Sequence, residues 1–289
     1  MHMINQILET HLGANARLKN AEALSGGCIN QASRLVLDDG REYFLKVNQA
    51  SLADMFAAEA AGLNELRSTA TLRVPAPIGQ GVQGRQAYLL LDYLPLQTQG
   101  NQPLAGTQLA ALHQHTAEQF GWLRHNTLGT SPQRNTQQAD WVRFWQTERL
   151  GFQLERARRN GYPHRSYELG QRLNDELSAL FADYQPVASL LHGDLWGGNL
   201  AYLADGTPVI FDPAVYYGDR ETDLAMTELF GGFSADFYAA YREAWPLDAG
   251  YPVRRTLYNL YHILNHFNLF GGSYAGQATR MTEALLSEL

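Results

Sequence analysis

Two short apolar runs, Leu200-Ala-Tyr-Leu203 and Pro208-Val-Ile-Phe211, flank Ala204-Asp205-Gly206-Thr207. Apolar runs around a Gly-containing turn signal read as a β-hairpin. Paired residue numbers in a hairpin sum to a constant. With the turn centred between Asp205 and Gly206, Leu200 faces Phe211 and Asn199 faces Asp212. Two oxygen-bearing side chains are therefore expected to meet at the open end. His192-Gly-Asp194-Leu-Trp-Gly-Gly-Asn199 runs into the same hairpin, so Asp194 enters from the preceding loop. Gly197 and Gly198 let that loop turn tightly and admit a ligand close to the backbone.

An Asp, an Asn five residues later and a second Asp after a hairpin form the polar skeleton of a phosphoryl-transfer site. Protein kinases use a base Asp in H-R-D-x-x-x-x-N, with the Asn and a further Asp on magnesium. Asp194 and Asn199 reproduce the spacing, with Gly193 where protein kinases carry Arg. The expected roles are proton acceptor for Asp194 and magnesium ligands for Asn199 and Asp212. Oxygen ligands from a few side chains, completed by phosphate and water, are what Mg2+ favours. A plain loop-stabilising hydrogen bond between Asp194 and Asn199, with Asp212 capping a strand, explains less of the pattern.

Composition narrows the setting. The chain has 289 residues, 45% hydrophobic and 18% charged, enough for a sizeable core in one large or two modest domains. A formal net charge of −7 gives no basic footprint for nucleic acid. No apolar run reaches the length needed to span a bilayer, so no membrane association is expected. The first residues lack the basic flank and apolar core of a signal peptide. Ile4, Ile7, Leu8 and Leu12 instead make one helical stripe. A single cysteine rules out an intrachain disulfide and fits a reducing compartment. A cytoplasmic enzyme is expected.

The first third reads as strands around one helix. Ser33–Leu37 and Glu42–Val47 flank Asp38-Asp39-Gly40, a hairpin signal. Ala53 to Leu66 reads as a helix with Phe56, Leu63 and Leu66 on one stripe. A Pro-rich connection, Val74–Ile78, precedes a buried-looking strand, Ala87–Leu91. Helical patterns dominate from about Gln102. The expected layout is α+β and bilobal: a small β-rich lobe over residues 1–92, a linker near Asp92 to Leu96, and a larger, mainly helical lobe over 93–289.

Lys46 falls mid-strand in an apolar run, and Glu59 falls on the apolar stripe of the next helix. Unpaired charges there would be costly. Pairing the two resolves both and leaves the ammonium aimed at ATP phosphates. Ser25-Gly-Gly-Cys-Ile-Asn30 precedes the strand pair and offers Gly26, Gly27 and Cys28 as a phosphate-cradling loop. Cys28 is open to two readings: a small buried hydrophobe, or a reactive redox thiol able to link two molecules.

His262 and His266 sit four apart on an expected helix, without a third ligand that would make a metal site. A packed or pocket-lining helix is the better reading, with Tyr258, Asn265 and Asn268 suited to a polyol site. His113 and His115 are expected at solvent or a helix end. Asp219 and Asp223 read as helix-start residues.

The chain resembles the fructosamine (ketosamine) 3-kinases, a branch of the protein-kinase-like small-molecule phosphotransferases that includes aminoglycoside kinases. The resemblance rests on Gly26-Gly-Cys-Ile29, Phe44-Leu-Lys-Val-Asn48, Met55-Phe-Ala-Ala-Glu59, Leu66-Arg-Ser-Thr69 and Val74-Pro-Ala-Pro77. It continues in Leu190-Leu-His-Gly-Asp-Leu-Trp-Gly-Gly-Asn199, Tyr216-Tyr-Gly218 and Phe230-Gly-Gly-Phe233, and is weakest over residues 97–185.

The resemblance implies a protein-kinase-like fold and ATP-dependent phosphorylation of the sugar 3-hydroxyl of ketosamines, free or on glycated protein amines. Such a phosphate makes the adduct prone to eliminate and release the amine, a deglycating repair. By the same resemblance Asp92, Tyr93 and Leu94 bind adenine through their backbone, and Asp223 holds the catalytic loop from behind. Trp196 stands where protein kinases usually carry Lys two residues after the base, as in the family it resembles. It either lines the acceptor site with His266 and Asn268 or packs against the helical lobe. Two other readings stay open: a related kinase acting on an aminoglycoside, choline-like amine or thio-sugar, and a nucleotide-binding pseudokinase scaffold. The expected state is a monomer, or a redox-dependent dimer through Cys28.

Overall fold

Tyr43, Leu45 and Val47 alternate with Phe44, Lys46 and Asn48 along the strand Glu42–Gln49, and a strand's period of two sends these sets to opposite faces. In the computed structural model, which describes residues 2–24 and 30–289, the first set joins a core with Ile7, Leu8, Leu35, Tyr88 and Leu90. The second set carries Lys46.

The chain divides into two compact units, Met1–Gly100 with Ala201–Asp212, and Asn101–Leu200 with Pro213–Leu289. The units are thus not two successive stretches, because residues 201–212 group with the N-terminal part.

The first unit holds an antiparallel sheet of β1 (Leu18–Leu24), β2 (Gln31–Leu37), β3 (Glu42–Gln49), β4 (Pro77–Gln83) and β5 (Gln86–Asp92), in the order β1-β2-β3-β5-β4. Helix α1 (His2–Leu12) buries Ile7 and Leu8, and α2 (Ala53–Ser68) buries Phe56, Leu63 and Leu66 while packing on β4 and β5. Strand β1, which the sequence pattern does not reveal, is exposed along most of its length. An edge strand with water on both faces has no alternation to betray it.

The hairpin β9 (Leu200–Tyr202) and β10 (Pro208–Ile210) is tied into this unit. Gln97 and Tyr202 exchange backbone bonds of 2.7 and 2.9 Å, and Ile210 N–H donates to the Arg73 carbonyl at 3.0 Å. Its turn differs from the expected one. Gly206 N–H and Thr207 C=O both bond Leu203, so the loop has three residues, with Gly206 at φ +84°. This is a type I turn followed by a left-handed glycine, which shifts the register by one residue from the two-residue centring. The Leu37–Arg41 turn between β2 and β3 repeats it, with Gly40 also at φ +84°. In both, the Asp before the glycine accepts the N–H of the residue after it, at 3.0 Å in Asp39 and 2.9 Å in Asp205.

The second unit begins with α3 (Gln102–His113), capped where the Asn101 side chain accepts Leu104 N–H at 2.9 Å. A small hairpin, β6 (Asn126–Leu128) and β7 (Ser131–Gln133), follows. Next comes α4 (Trp141–Phe144), continued through a π-helical turn, Trp145–Leu150, into α5 (Gly151–Arg159), and then α6 (His164–Glu176). Strands β8 (Ser189–Leu191) and β11 (Tyr216–Gly218) pair antiparallel on either side of the stretch that holds Asp194 and Asn199. Helices α7 (Glu221–Leu229), α8 (Ala235–Ala244), α9 (Tyr251–Phe270) and α10 (Tyr274–Leu286) complete the unit. Helix α9 packs on α7 and α10 and is buried over most of its surface. No helix among the described residues is long and apolar enough to cross a membrane.

Candidate active site

In the first unit, Lys46 Nζ donates to Glu59 Oε1 at 2.6 Å and also pairs with Asp212 Oδ1. Lys46 and Glu59 side chains are almost wholly buried, whereas the Asp212 side chain is half exposed. Burial alone would depress the Lys46 ammonium, but the carboxylates of Asp212 and Glu59 outweigh it and hold its pKa above the ordinary range. Burial lifts the Glu59 carboxyl, against the pull of Lys46. The charged lysine is thus a fixed cation beside Asp212. Asp212 itself adopts φ +56°, unusual for a residue with a side chain and characteristic of functional turns.

At the end of β5 the Asp92 N–H is bonded to the Ala76 carbonyl at 3.0 Å and the Tyr93 N–H to the Glu42 carbonyl at 3.4 Å. The Asp92 carboxylate is bound to Arg73 and to the Ala76 N–H. Leu94 is therefore the member of Asp92-Tyr93-Leu94 whose N–H is in no backbone bond outside helices and strands among the described residues. Gly26, Gly27 and Cys28 lie outside the described residues.

In the second unit the loop carrying Asp194 is held by its backbone. Asp223 Oδ2 accepts His192 N–H at 2.7 Å and Oδ1 accepts Gly193 N–H at 2.8 Å. His113 Nε2 reaches the same Oδ2 at 3.2 Å, its Nδ1 meets Tyr241 OH at 2.8 Å, and Arg220 Nη1 donates to that hydroxyl at 3.1 Å. Burial keeps His113 neutral, so Nε2–H donates to Asp223 and Nδ1 accepts from Tyr241. Burial would raise the Asp223 carboxyl, but hydrogen bonds from His113 and Gly193 hold it below its ordinary value. His113 is therefore a buried support rather than a solvent-facing residue. Asp219, expected at the helix start, does accept Glu221 N–H at 3.0 Å but also takes Tyr258 OH at 2.5 Å and Tyr184 OH at 3.0 Å.

Gly193 explains its own identity. Its φ is +82°, and a Cβ there would fall 2.1 Å from the Ala214 carbonyl oxygen. No side chain fits, so the Arg of protein kinases is sterically excluded.

Asp194 is partly exposed at the end of this turn. Asn199 Nδ2 donates to the Asp194 carbonyl at 2.8 Å, with Asp194 Oδ2 at 3.5 Å. With the amide nitrogen committed, Asn199 Oδ1 is the end left for a cation. Asn199 Oδ1 and the half-exposed Asp212 carboxylate are hard oxygen donors, the kind that suits Mg2+.

Trp196 is 40% exposed and meets Phe230, itself 44% exposed, edge to face at 6.4 Å. The Phe230 ring lies 5.1 Å from His266, which lies 5.2 Å from Tyr274. Trp196 and His266 thus belong to one aromatic surface. Asn268 does not: its Nδ2 donates to Gln153 Oε1 at 2.7 Å, and its Oδ1 accepts from Asn160 at 2.9 Å. Residues two apart on a helix face different ways, so His266 and Asn268 diverge. Tyr258, Asn265 and His262 are buried, so this stretch of α9 is a core helix rather than a polyol-lined wall. Burial, with His266 adding, pushes the His262 imidazole down to about 3. Phe230, Tyr274 and the support residue His113 do not stand out as site residues in the sequence. Phe230 lies in the Phe-Gly-Gly-Phe motif, but nothing in the sequence places it beside Trp196.

Known proteins resemble the chain over nearly its whole length. A family model described as fructosamine kinase matches residues 1–288. A Synechocystis protein described as a probable ketoamine kinase is 47% identical, with 98% of this chain and 96% of the relative covered. The chloroplastic protein-ribulosamine 3-kinase of Arabidopsis thaliana is 39% identical over 96% of this chain and 86% of its own. A crystal structure of a fructosamine-3-kinase candidate from Haemophilus somnus superposes with a TM-score of 0.88 at 30% identity, covering 99% of this chain and 97% of that one. The α+β architecture is the protein-kinase-like one shared with small-molecule phosphotransferases. The chain belongs to the fructosamine kinase family.

Proposed function

We propose that this protein is an ATP-dependent kinase that phosphorylates the sugar 3-hydroxyl of ketosamines. The observation that carries the reading is near-full-length similarity to ketoamine and ribulosamine kinases. The retained set Lys46, Glu59, Asp194, Asn199 and Asp212 supports it. We assign nucleotide binding to the first unit and acceptor binding to the second.

Asp194 accepts the proton of the attacking hydroxyl, and its backbone is fixed for that task by Asp223. Lys46, oriented by Glu59, neutralises phosphate charge, and the Leu94 N–H with neighbouring carbonyls reads adenine. Asn199 and Asp212 would hold magnesium, which when bound offsets charge on the phosphates. Positioning and fixed charge supply most of the acceleration. Trp196 and His266 line the acceptor site. The relatives' names do not favour an aminoglycoside, choline or thio-sugar acceptor. The complete set of polar groups does not favour a pseudokinase scaffold.

A coupled ADP-release assay across fructosamine, ribulosamine and erythrulosamine adducts tests the reading, with product NMR to locate the phosphate. Turnover confined to ketosamines and a 3-phosphate product are expected. Phosphate at another position would refute it. A cytoplasmic setting and a redox-dependent dimer through Cys28 belong to the same proposal. Equal monomer content of wild type and Cys28→Ala after oxidation, on non-reducing electrophoresis, would end the dimer.

A further inference from the structure

The segment that follows Asp212 is held by buried primary amides. Pairing of β6 with β7 sets Asn126 opposite Gln133. Asn126 Nδ2 donates to the Val215 carbonyl at 2.8 Å, and Gln133 Nε2 donates to the Ala214 carbonyl at 2.9 Å. The two amides are joined, since Gln133 Nε2 also donates to Asn126 Oδ1 at 2.9 Å. Asn135 Nδ2 reaches the same Oδ1 at 2.9 Å, and Arg149 Nη2 donates to Asn135 Oδ1 at 2.8 Å. All four side chains are at least nine-tenths buried. Arg149 comes from the π-helical turn, and its guanidinium lies 4.0 Å over the Tyr216 ring. A buried network of hydrogen-bonded amides is rigid, because its members have few alternative partners.

What this network grips is the floor of the catalytic turn. Ala214 N–H donates to the His192 carbonyl at 2.8 Å, and the Ala214 carbonyl lies where a Gly193 side chain would be. Asp223 therefore fixes the N–H groups of His192 and Gly193, while Ala214 fixes the His192 carbonyl and packs against Gly193. We propose that Asn126 and Gln133 are positioning residues for Asp194, acting through Ala214 and Val215. The inference rests on the kinase reading, in which Asp194 is the base. Protein kinases commonly order their activation loops by phosphorylation. Here the amides supply that order permanently, so the turn needs no covalent switch.

Gln133→Glu and Asn126→Asp test this with little change of shape. Each replaces the donating nitrogen by an oxygen facing a carbonyl, and Gln133→Glu keeps the acceptor that receives Tyr261 OH at 3.0 Å. A misplacement of about 1 Å can cost on the order of 100-fold in rate. Each variant is therefore expected to lose about 10- to 100-fold in kcat per folded molecule, with KM for ATP within about twofold of wild type. Hydrogen–deuterium exchange in peptides spanning residues 190–199 is expected to accelerate, with exchange in α9 unchanged. Wild-type kcat and unchanged exchange at 190–199 in both variants would overturn the proposal. Should either acid variant fail to fold, Gln133→Met, of similar volume and without the donor, carries the same two measurements. If wild type phosphorylates no ketosamine, the functional reading fails while the exchange experiment still decides the clamp.

Discussion

Gly197 and Gly232 lie backbone against backbone: a Cβ on Gly232 would sit 2.8 Å from the Gly197 α-carbon, and one on Gly197 would sit 2.7 Å from the Gly231 carbonyl oxygen. The Leu-Trp-Gly-Gly and Phe-Gly-Gly-Phe stretches are thus two sides of one contact, and it brings Trp196 to Phe230. Because the obstructing atoms are main chain, no rotamer relieves them. Gly197→Ala should cost about 1–3 kcal/mol of stability as the backbones part. It should also raise KM for the acceptor more than KM for ATP. Urea denaturation and steady-state kinetics with each substrate varied would check this, and equal changes in both KM values would contradict it.

Lys46 and Glu59 form a buried ion pair, so removing one partner strands the other. Lys46→Met should destabilise the protein by about 3–5 kcal/mol and abolish turnover. Lys46→Met combined with Glu59→Gln should recover much of the stability, because the one carboxylate left without its lysine, Asp212, is half exposed to water, yet remain inactive. A double-mutant cycle by denaturation, with activity assayed in parallel, separates the two roles. Additive losses would mean that the pair is not coupled.

Much of this was legible in the sequence, for physical reasons. A charged residue in the middle of an apolar strand needs a partner, so Lys46 and Glu59 declared each other. Burial of Phe56, Leu63 and Leu66 followed from helical spacing. Strand β1 did not show, since an exposed edge has no apolar face. The hairpin register was missed by one residue because turn length depends on where the left-handed glycine falls, not on the apolar runs around it. His113 and the amides Asn126 and Gln133 were illegible for another reason. A polar side chain is buried when its partner is a distant backbone group or carboxylate, and such partners leave no mark in local pattern.

His262 is buried, its Nδ1 has no hydrogen-bond partner among the described residues, and its pKa is pushed down to about 3. In the unfolded chain the imidazole titrates near 6.5. Between those values the unfolded state binds a proton that the folded state refuses. Stability is therefore fully present above about pH 6.5 and falls as pH drops toward 3, by up to about 1.4 kcal/mol per pH unit. His262→Gln should flatten the unfolding free energy between pH 5 and 6.5 by about one proton's worth of slope. An unchanged slope in urea titrations across that range would show that His262 is not the group responsible.

Asp194 gives a backbone carbonyl to Asn199 at 2.8 Å and, on the proposed mechanism, a carboxylate to the attacking hydroxyl, and these can be separated. Asp194→Asn keeps the carbonyl and the shape but removes the proton acceptor. Turnover should fall by about 10²- to 10⁴-fold, the usual contribution of a positioned base. Binding of a fluorescent ATP analogue should stay within about twofold, since nothing on the nucleotide side changes. Activity above a tenth of wild type would remove Asp194 from the mechanism.

Trp196 decides between two roles, and its surroundings favour one. A tryptophan serving only to pack would be covered, whereas this ring is 40% exposed and shares its surface with Phe230 and His266. A flat aromatic face suits the apolar side of a sugar ring, and an aromatic contact adds about 0.5–1.5 kcal/mol beyond simple burial. Trp196→Phe keeps an aromatic ring but shortens the platform. It should raise KM for ketosamines by about two- to tenfold, the equivalent of that energy. ATP affinity and melting temperature should be nearly unchanged, because on the proposed reading the ring faces the acceptor, and its trimming uncovers little core. Gly198 bears on the outcome, since a Cβ there would fall 2.2 Å from the indole, so only a glycine leaves room for the ring where it lies. A variant that melts several degrees lower with wild-type KM for ketosamines would make Trp196 a packing residue, and the acceptor site would have to be sought elsewhere than beside Phe230 and His266.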